Sequence, residues 1–282
     1  MTSMFPQVKT HLPKGAAFPV RHPEFVFADL DKYWSGDPFV THFMNTLSGL
    51  FPDGEQFFVD SLKYFRAQIK DPQLQRDIAA FIGQEAVHSK EHTVFNRHAD
   101  AQGMDILYVE KMTARLMALW KKADPETQLA LTVATEHLTA VLGHALMESE
   151  YLRDQLKHEQ MLRMWLWHAI EENEHKTVAF DALKEINPSY ALRVSAYVAM
   201  LSCGIPLVLA CQLRQMFKDE NRFNLTTWSN GFATVFGRKG LLTSQLGRLA
   251  DYFRPSFHPL DHDTVALMAD WKTRLNFSDS SV

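Results

Sequence analysis

Two stretches of the chain place a glutamate three residues before a histidine, as Glu85/His88 and Glu172/His175. Residues three apart project from one face of a helix, so each pair offers a carboxylate and an imidazole to a single cation. Two further glutamates precede the pairs, giving the chain order Glu55, Glu85-x-x-His88, Glu136, Glu172-x-x-His175. A dinuclear carboxylate four-helix bundle needs that set: one Glu from each of two helices and one Glu-x-x-His from each of the other two. Four carboxylates offset and bridge two divalent ions, and one neutral imidazole per ion adds a nitrogen donor suited to iron. Two iron ions are therefore expected, and manganese or zinc would suit the same donors.

Other polar residues share these faces. At 100° per residue, His92 lies about 20° from Glu85 and His168 about 40° from Glu172, so both point toward the same centre as extra ligands or as supports for the ligands. His137 sits about 100° from Glu136 and fits a supporting or helix-contact role. Glu171 and Glu174 point elsewhere and are expected in solvent. Each Glu or His alone reads equally well as a satisfied core polar group. Six in the required order do not, because buried carboxylates need either cations or buried bases, and no Lys or Arg lies on these helical stripes near the acids.

The elements that must carry these side chains follow from local signals. Asp37-Pro38, Asp71-Pro72 and Asp124-Pro125 each pair an N-cap with proline at the first helical position, and Asn187-Pro188 closes the set. The turn-like Phe51-Pro52-Asp53-Gly54 predicts a short helix before it and a second one over 54–69. Leu74, Ile78, Phe81, Glu85, His88, His92 and Phe95 step by three or four, as do Met161, Trp165, His168, Glu172, His175 and Ala179. The stretch 96–124 is long enough for a crossover connection. The fold class expected is all-α: a ferritin-like four-helix bundle over 37–187, an N-terminal arm over 1–36 lying on its surface, and a helical extension over 188–282 with a frayed tail over 278–282.

Within that extension, residues 194–213 carry no charge and are long enough to span a membrane, but Ser195, Ser202, Gly204, Pro206 and Gln212 favour a helix packed on the bundle and lining a channel for an apolar small molecule. Peripheral membrane contact through 194–213 is the alternative, and a homodimer is compatible with either. Cys203 and Cys211 lie eight residues apart, about 12 Å on a helix, and cannot pair with each other. Free thiols and the lack of a signal-like apolar run near the N-terminus point to the cytoplasm. The 282 residues are 46% hydrophobic with a formal charge of -4. Without a basic cluster, nucleic acid is excluded as a partner. Eight of the thirteen histidines fall between His88 and His175.

The strings LFPDGEQFF (50–58), FIGQEAVHSKEH (81–92), TEHLT (135–139) and WHAIEENEHK (167–176) resemble those of a bacterial family labelled "predicted metal-dependent hydrolase", over roughly residues 20–260. The resemblance implies a metal enzyme and carries its Glu and His positions onto Glu55, Glu85, His88, His92, Glu136, His137, His168, Glu172 and His175. By fold analogy a carboxylate-rich di-iron bundle activates dioxygen with an electron donor to oxidise or oxygenate an apolar molecule. The alternative is a hydrolase whose two ions lower the pKa of a bridging water. A third reading is an iron-binding or redox-sensing protein without turnover.

Overall fold

Each Asp-Pro signal starts a helix in the computed structural model, which describes residues 8–277. Asp37 accepts from the Val40 N–H at 3.1 Å, Asp71 from Gln73 at 2.8 Å and Asp124 from Thr127 at 2.9 Å. Each cap satisfies a backbone donor that the first turn leaves open. The three long helices are α1 (Pro38–Phe65), α2 (Pro72–Ala101) and, after α3 (Ile106–Trp120), α4 (Pro125–Glu148). A short α5 (Glu150–Arg153) leads to α6 (Glu159–His175), and two residues of helical backbone join it to α7 (Val178–Ile186). The expected crossover is thus the end of α2 followed by α3, a helix of its own.

One expected break is absent. α1 runs unbroken through Pro52 and ends at Phe65, so the separate helix over 54–69 is not formed. Proline at 52 has no N–H for the Ser48 carbonyl one turn earlier. That carbonyl receives the Asn96 Nδ2 donor instead, at 3.2 Å from α2. The compensation is tertiary, and a local turn signal cannot report it.

The arm also differs from the expectation of a surface strap. Two short strands, β1 (Lys9–His11) and β2 (Val20–His22), pair antiparallel with Lys9 opposite His22. Val8, Phe18, Val20, Phe25, Phe27, Leu30 and Trp34 are all buried, so the segment is part of the core. β2 packs on α2 where Gly83 leaves room: a Cβ at that position would come 2.7 Å from Val20 Cγ2.

Beyond the four central helices lie α8 (Tyr190–Lys218), α9 (Leu225–Phe236), α10 (Leu246–Asp251) and α11 (Val265–Leu275). Among the described residues α4 and α8 are long and apolar enough to cross a membrane, yet the apolar stretch of α4 is mostly buried while that of α8 is 22% buried. α8 lies against α1, α3 and α4 through Ala196, Tyr197, Met200, Cys211 and Met216. Its other side exposes Val198, Ile205, Leu209, Leu213 and Phe217, so the expected burial holds for one face only. Both cysteines are free. The expected frayed tail, 278–282, lies outside the described residues, as do residues 1–7 of the arm.

The core divides into two apolar clusters, and the divide falls at the acids along the central helices. Met44 and Phe57 of α1 belong to different clusters, as do Phe81 and Val87 of α2, Ala134 and Ala145 of α4, and Ile170 of α6 and Val178 of α7. Gly83→Leu tests the arm's place in this core. Leucine is the better helix former by about 1 kcal/mol. Overpacking against Val20 costs about 1–3 kcal/mol and is expected to win. The thermal midpoint followed by circular dichroism should fall by several degrees with helix content retained, and an unchanged or raised midpoint would remove β2 from the core.

Candidate metal centre

Glu55 comes from α1, Glu85 and His88 from α2, Glu136 from α4, and Glu172 and His175 from α6, and every one of them is buried. The helices bring all six sequence-selected residues together. His88 Nδ1 lies 3.8 Å from Glu85 Oε2, 3.8 Å from Glu172 Oε1 and 4.0 Å from Glu55 Oε1. His175 Nε2 lies 3.2 Å from both Glu85 Oε1 and Glu136 Oε2, and 3.8 Å from Glu172 Oε2. Three overlapping groups have donor atoms within 4.8 Å of one another: Glu55, His88 and His168; Glu85, His88 and Glu172; Glu85, Glu136 and His175. These are buried Glu/His clusters that could hold metal.

The ring nitrogens facing away from the centre have their own acceptors. His88 Nε2–H donates to Glu171 Oε2 at 3.0 Å, and His175 Nδ1–H donates to Gln84 Oε1 at 2.9 Å. Gln84 Nε2 in turn donates to the Pro19 carbonyl and to Glu174, which fixes its amide orientation. Such hydrogen bonds set which nitrogen keeps a lone pair for a metal. Glu171 and Glu174 are therefore not the solvated acids expected from their helical angle. Glu171 is buried against Arg21 at 3.1 Å, and Glu174 pairs with Arg21 at 2.7 Å and with Lys272 at 2.6 Å. β2 of the arm covers that side of α6 and delivers Arg21, itself fully buried. Arg21 was invisible to sequence reasoning, because nothing periodic surrounds it.

His92 and His168 lie where their helical angles put them. His92 Nδ1 is 2.8 Å from Ser48 Oγ, His92 Nε2 is 3.0 Å from His168 Nδ1, and His168 Nε2 is 3.1 Å from Glu172 Oε1. His137 is elsewhere. It packs among Tyr197, Tyr252, Phe257 and His262, where burial and the nearby His262 push its pKa down to about 3, so of its two expected roles it takes the helix-contact one.

The donor set fits cations. Both carboxylate oxygens of Glu55, Glu85 and Glu136, together with Glu172 Oε2, His88 Nδ1, His168 Nε2 and His175 Nε2, are buried without a hydrogen-bond partner. Without metal, protons must stand in. Burial raises the Glu55 carboxyl well above its usual range, with Glu85 adding to it, and burial pushes Glu136 up to about 8. Burial opposes charge on His88 and His175 too, yet carboxylate neighbours outweigh it and raise both: Glu171 and Glu85 for His88, Glu136 and Glu172 for His175. Burial likewise works against ionised Glu172, but the raised His175 beside it holds its carboxyl well below the usual range.

On one side the centre meets an apolar cavity of about 270 Å³. Phe58, Leu142, Met200 and Val208 are among its walls, and Glu55 and His168 are the two ionisable residues that line it. α8 forms one wall of this cavity through Met200, Leu201 and Val208.

In comparisons with known proteins, the family described as predicted metal-dependent hydrolase matches residues 19–263. No curated protein and no solved structure matches.

The protons held by the centre give a pH dependence. Above about pH 7.5 the metal-free native state still holds protons on His88 and His175, and on Glu136 up to about pH 8, that an unfolded chain, with ordinary values of 6.5 and 4.5, has released. His92 and His168, both lowered chiefly by burial, are neutral in either state there. The native state binds more protons, so its stability falls as pH rises through this window. The thermal midpoint of chelator-treated protein should drop by several degrees from pH 7.5 to 8.5, and a saturating divalent metal should abolish the drop. A pH-independent midpoint for the metal-free protein would contradict these assignments.

Proposed function

From membership of the predicted metal-dependent hydrolase family, to which this chain belongs, we propose that it uses a dinuclear metal centre to hydrolyse an apolar ester or amide. The observation that carries this reading is the position of Glu55 and His168, at once members of the donor clusters and the ionisable part of an otherwise apolar cavity wall. Glu55, Glu85, His88, Glu136, Glu172 and His175 would hold two ions. When bound, such a pair supplies Lewis acidity toward a carbonyl oxygen and lowers the pKa of water.

The rest belongs to the chain. Phe58, Leu142 and Met200 enclose an aliphatic or aromatic substituent and exclude bulk water, which leaves the polar end of the substrate at Glu55 and His168. Glu55 carries two unpartnered oxygens at that wall and is the group placed to take a proton from attacking water and pass it to the leaving atom. Glu171 and Gln84 hold the two imidazoles against rotation.

Dioxygen activation is the second reading. What favours it is the ligand pattern alone, since four carboxylates and two Glu-x-x-His pairs on four helices are the donor set of ferritin-like di-iron proteins. Zinc separates the two, being redox-inert. Zinc-loaded protein, without oxygen, should hydrolyse 4-nitrophenyl esters with kcat/KM rising from acetyl to octanoyl by about 10-fold or more, since each buried methylene contributes about 0.8 kcal/mol. Leu142→Trp, which fills the cavity, should erase the chain-length preference and spare the acetyl ester. An absolute requirement for iron and oxygen, with no zinc-supported hydrolysis of esters or amides, would reject the hydrolase in favour of the oxidase.

A further inference from the structure

Hydrogen-bond polarity runs one way through a buried row of side chains that ends at the centre. Asn96 Nδ2 faces two groups that can only accept, the Ser48 carbonyl at 3.2 Å and the Glu110 carboxylate at 3.0 Å. Its Oδ1 is therefore the atom at Ser48 Oγ. The Ser48 hydroxyl has a single proton and gives it to Asn96 Oδ1 at 2.6 Å. At 2.8 Å the same oxygen must accept from His92 Nδ1–H. A neutral imidazole protonated on Nδ1 has a bare Nε2, so His92 Nε2 accepts from His168 Nδ1–H at 3.0 Å. The same logic leaves His168 with a bare Nε2.

That lone pair has no proton to receive. Glu172 Oε1, 3.1 Å away, is also an acceptor, and Nε2 is buried without a hydrogen-bond partner. It also lies within 4.8 Å of donor atoms of Glu55 and His88. Two acceptor atoms this close in a buried site repel, and a cation bound by both as adjacent ligands turns the repulsion into two bonds.

Resting on the metal-centre reading above, we infer that His168 is a direct metal ligand, so that the two ions are unequally furnished. Glu55, His88 and His168 hold one ion, Glu136 and His175 hold the other, and Glu85 and Glu172 lie between them. The sequence alone suggests one imidazole per ion; the hydrogen-bond row gives the cavity-side ion two. Asn96, Ser48 and His92 are positioning residues that fix the His168 tautomer and ring plane. A nitrogen-richer site binds borderline metals such as cobalt and zinc more tightly than a carboxylate-dominated one, so the two ions should enter in separate steps, the cavity-side ion first.

Cobalt(II) and proton NMR test this without any turnover. Each ligating imidazole keeps one exchangeable ring N–H, on His88 Nε2, His168 Nδ1 and His175 Nδ1, and a bound cobalt ion shifts it far outside the ordinary window. The full-length protein with two equivalents should show three such signals, two of them complete after the first equivalent. His168→Gln should leave two and weaken the first binding step by about 10-fold or more. Three signals that fall to two in the variant support the assignment. Two signals in the unmodified protein, or a variant with unchanged spectrum and affinity, overturn it while leaving a dinuclear centre standing. No cobalt uptake at all would remove the metal-centre reading and this inference together.

Discussion

Four glutamates from four helices converge where water is excluded, and the rest of the structure answers to that constraint. Two like charges 4 Å apart repel by about 4 kcal/mol even at an effective dielectric of 20. Several such pairs would consume the whole stability of a domain, about 5–15 kcal/mol. Protons, cations or both must be present, and burial raises the carboxyls of Glu55, Glu85 and Glu136 so that protons can take the role where cations are absent. A site that trades protons for divalent ions stores its binding energy in those unpartnered oxygens.

The supports around the acids repeat one device. In each Glu-x-x-His motif the residue before the glutamate braces the histidine of the other motif: Glu171 holds His88, and Gln84 holds His175. α2 and α6 thus orient one another's ligands, and neither helix can rotate without releasing both rings. Arg21 and Lys272 then neutralise the outer acids Glu171 and Glu174. A bare carboxylate at Glu171 would draw the His88 proton toward itself and add a further buried charge, so Arg21 lets the brace exist at small cost. The arm and α11 are, in this sense, part of the centre although neither supplies a ligand to it.

How much of this was legible in the sequence depends on the range over which each signal acts. Asp37, Asp71 and Asp124 cap their helices through bonds that span two or three residues, and a dipeptide suffices to see them. The Glu-x-x-His spacing and the angles of His92 and His168 are equally local, and all six side chains lie where the 3.6-residue repeat puts them. Pro52 misled because its cure, Asn96, is 44 residues away on another helix. Glu171 and Glu174 misled for a related reason. Their angle turns them from the centre, as expected, but what lies there is the arm, α11 and the outer nitrogen of His88 rather than solvent. Arg21 sits in a Pro-spaced segment with no periodicity, and its role exists only once β2 has docked beside Gly83. The cavity is a property of packing between α1, α3, α4, α6, α8 and α9, and no single helix announces it.

The neighbourhood of an apolar cavity and a charge-dense centre is itself a physical statement. Walls such as Phe58, Leu142 and Met200 give no polar group to a substrate, so on the proposed reading its orientation would come chiefly from the two ionisable residues, Glu55 and His168. The same walls lower the local dielectric, which strengthens every interaction that the centre makes with a polarised bond. An apolar substituent would therefore serve catalysis twice: its burial supplies binding energy, and its presence displaces the water that would otherwise screen the centre. Opposite that wall, Glu136 and His175 line no part of the cavity. On the proposed reading, the half of the centre with Glu55 and His168 is the half a substrate would reach, and the half with Glu136 and His175 would be left to hold charge and geometry.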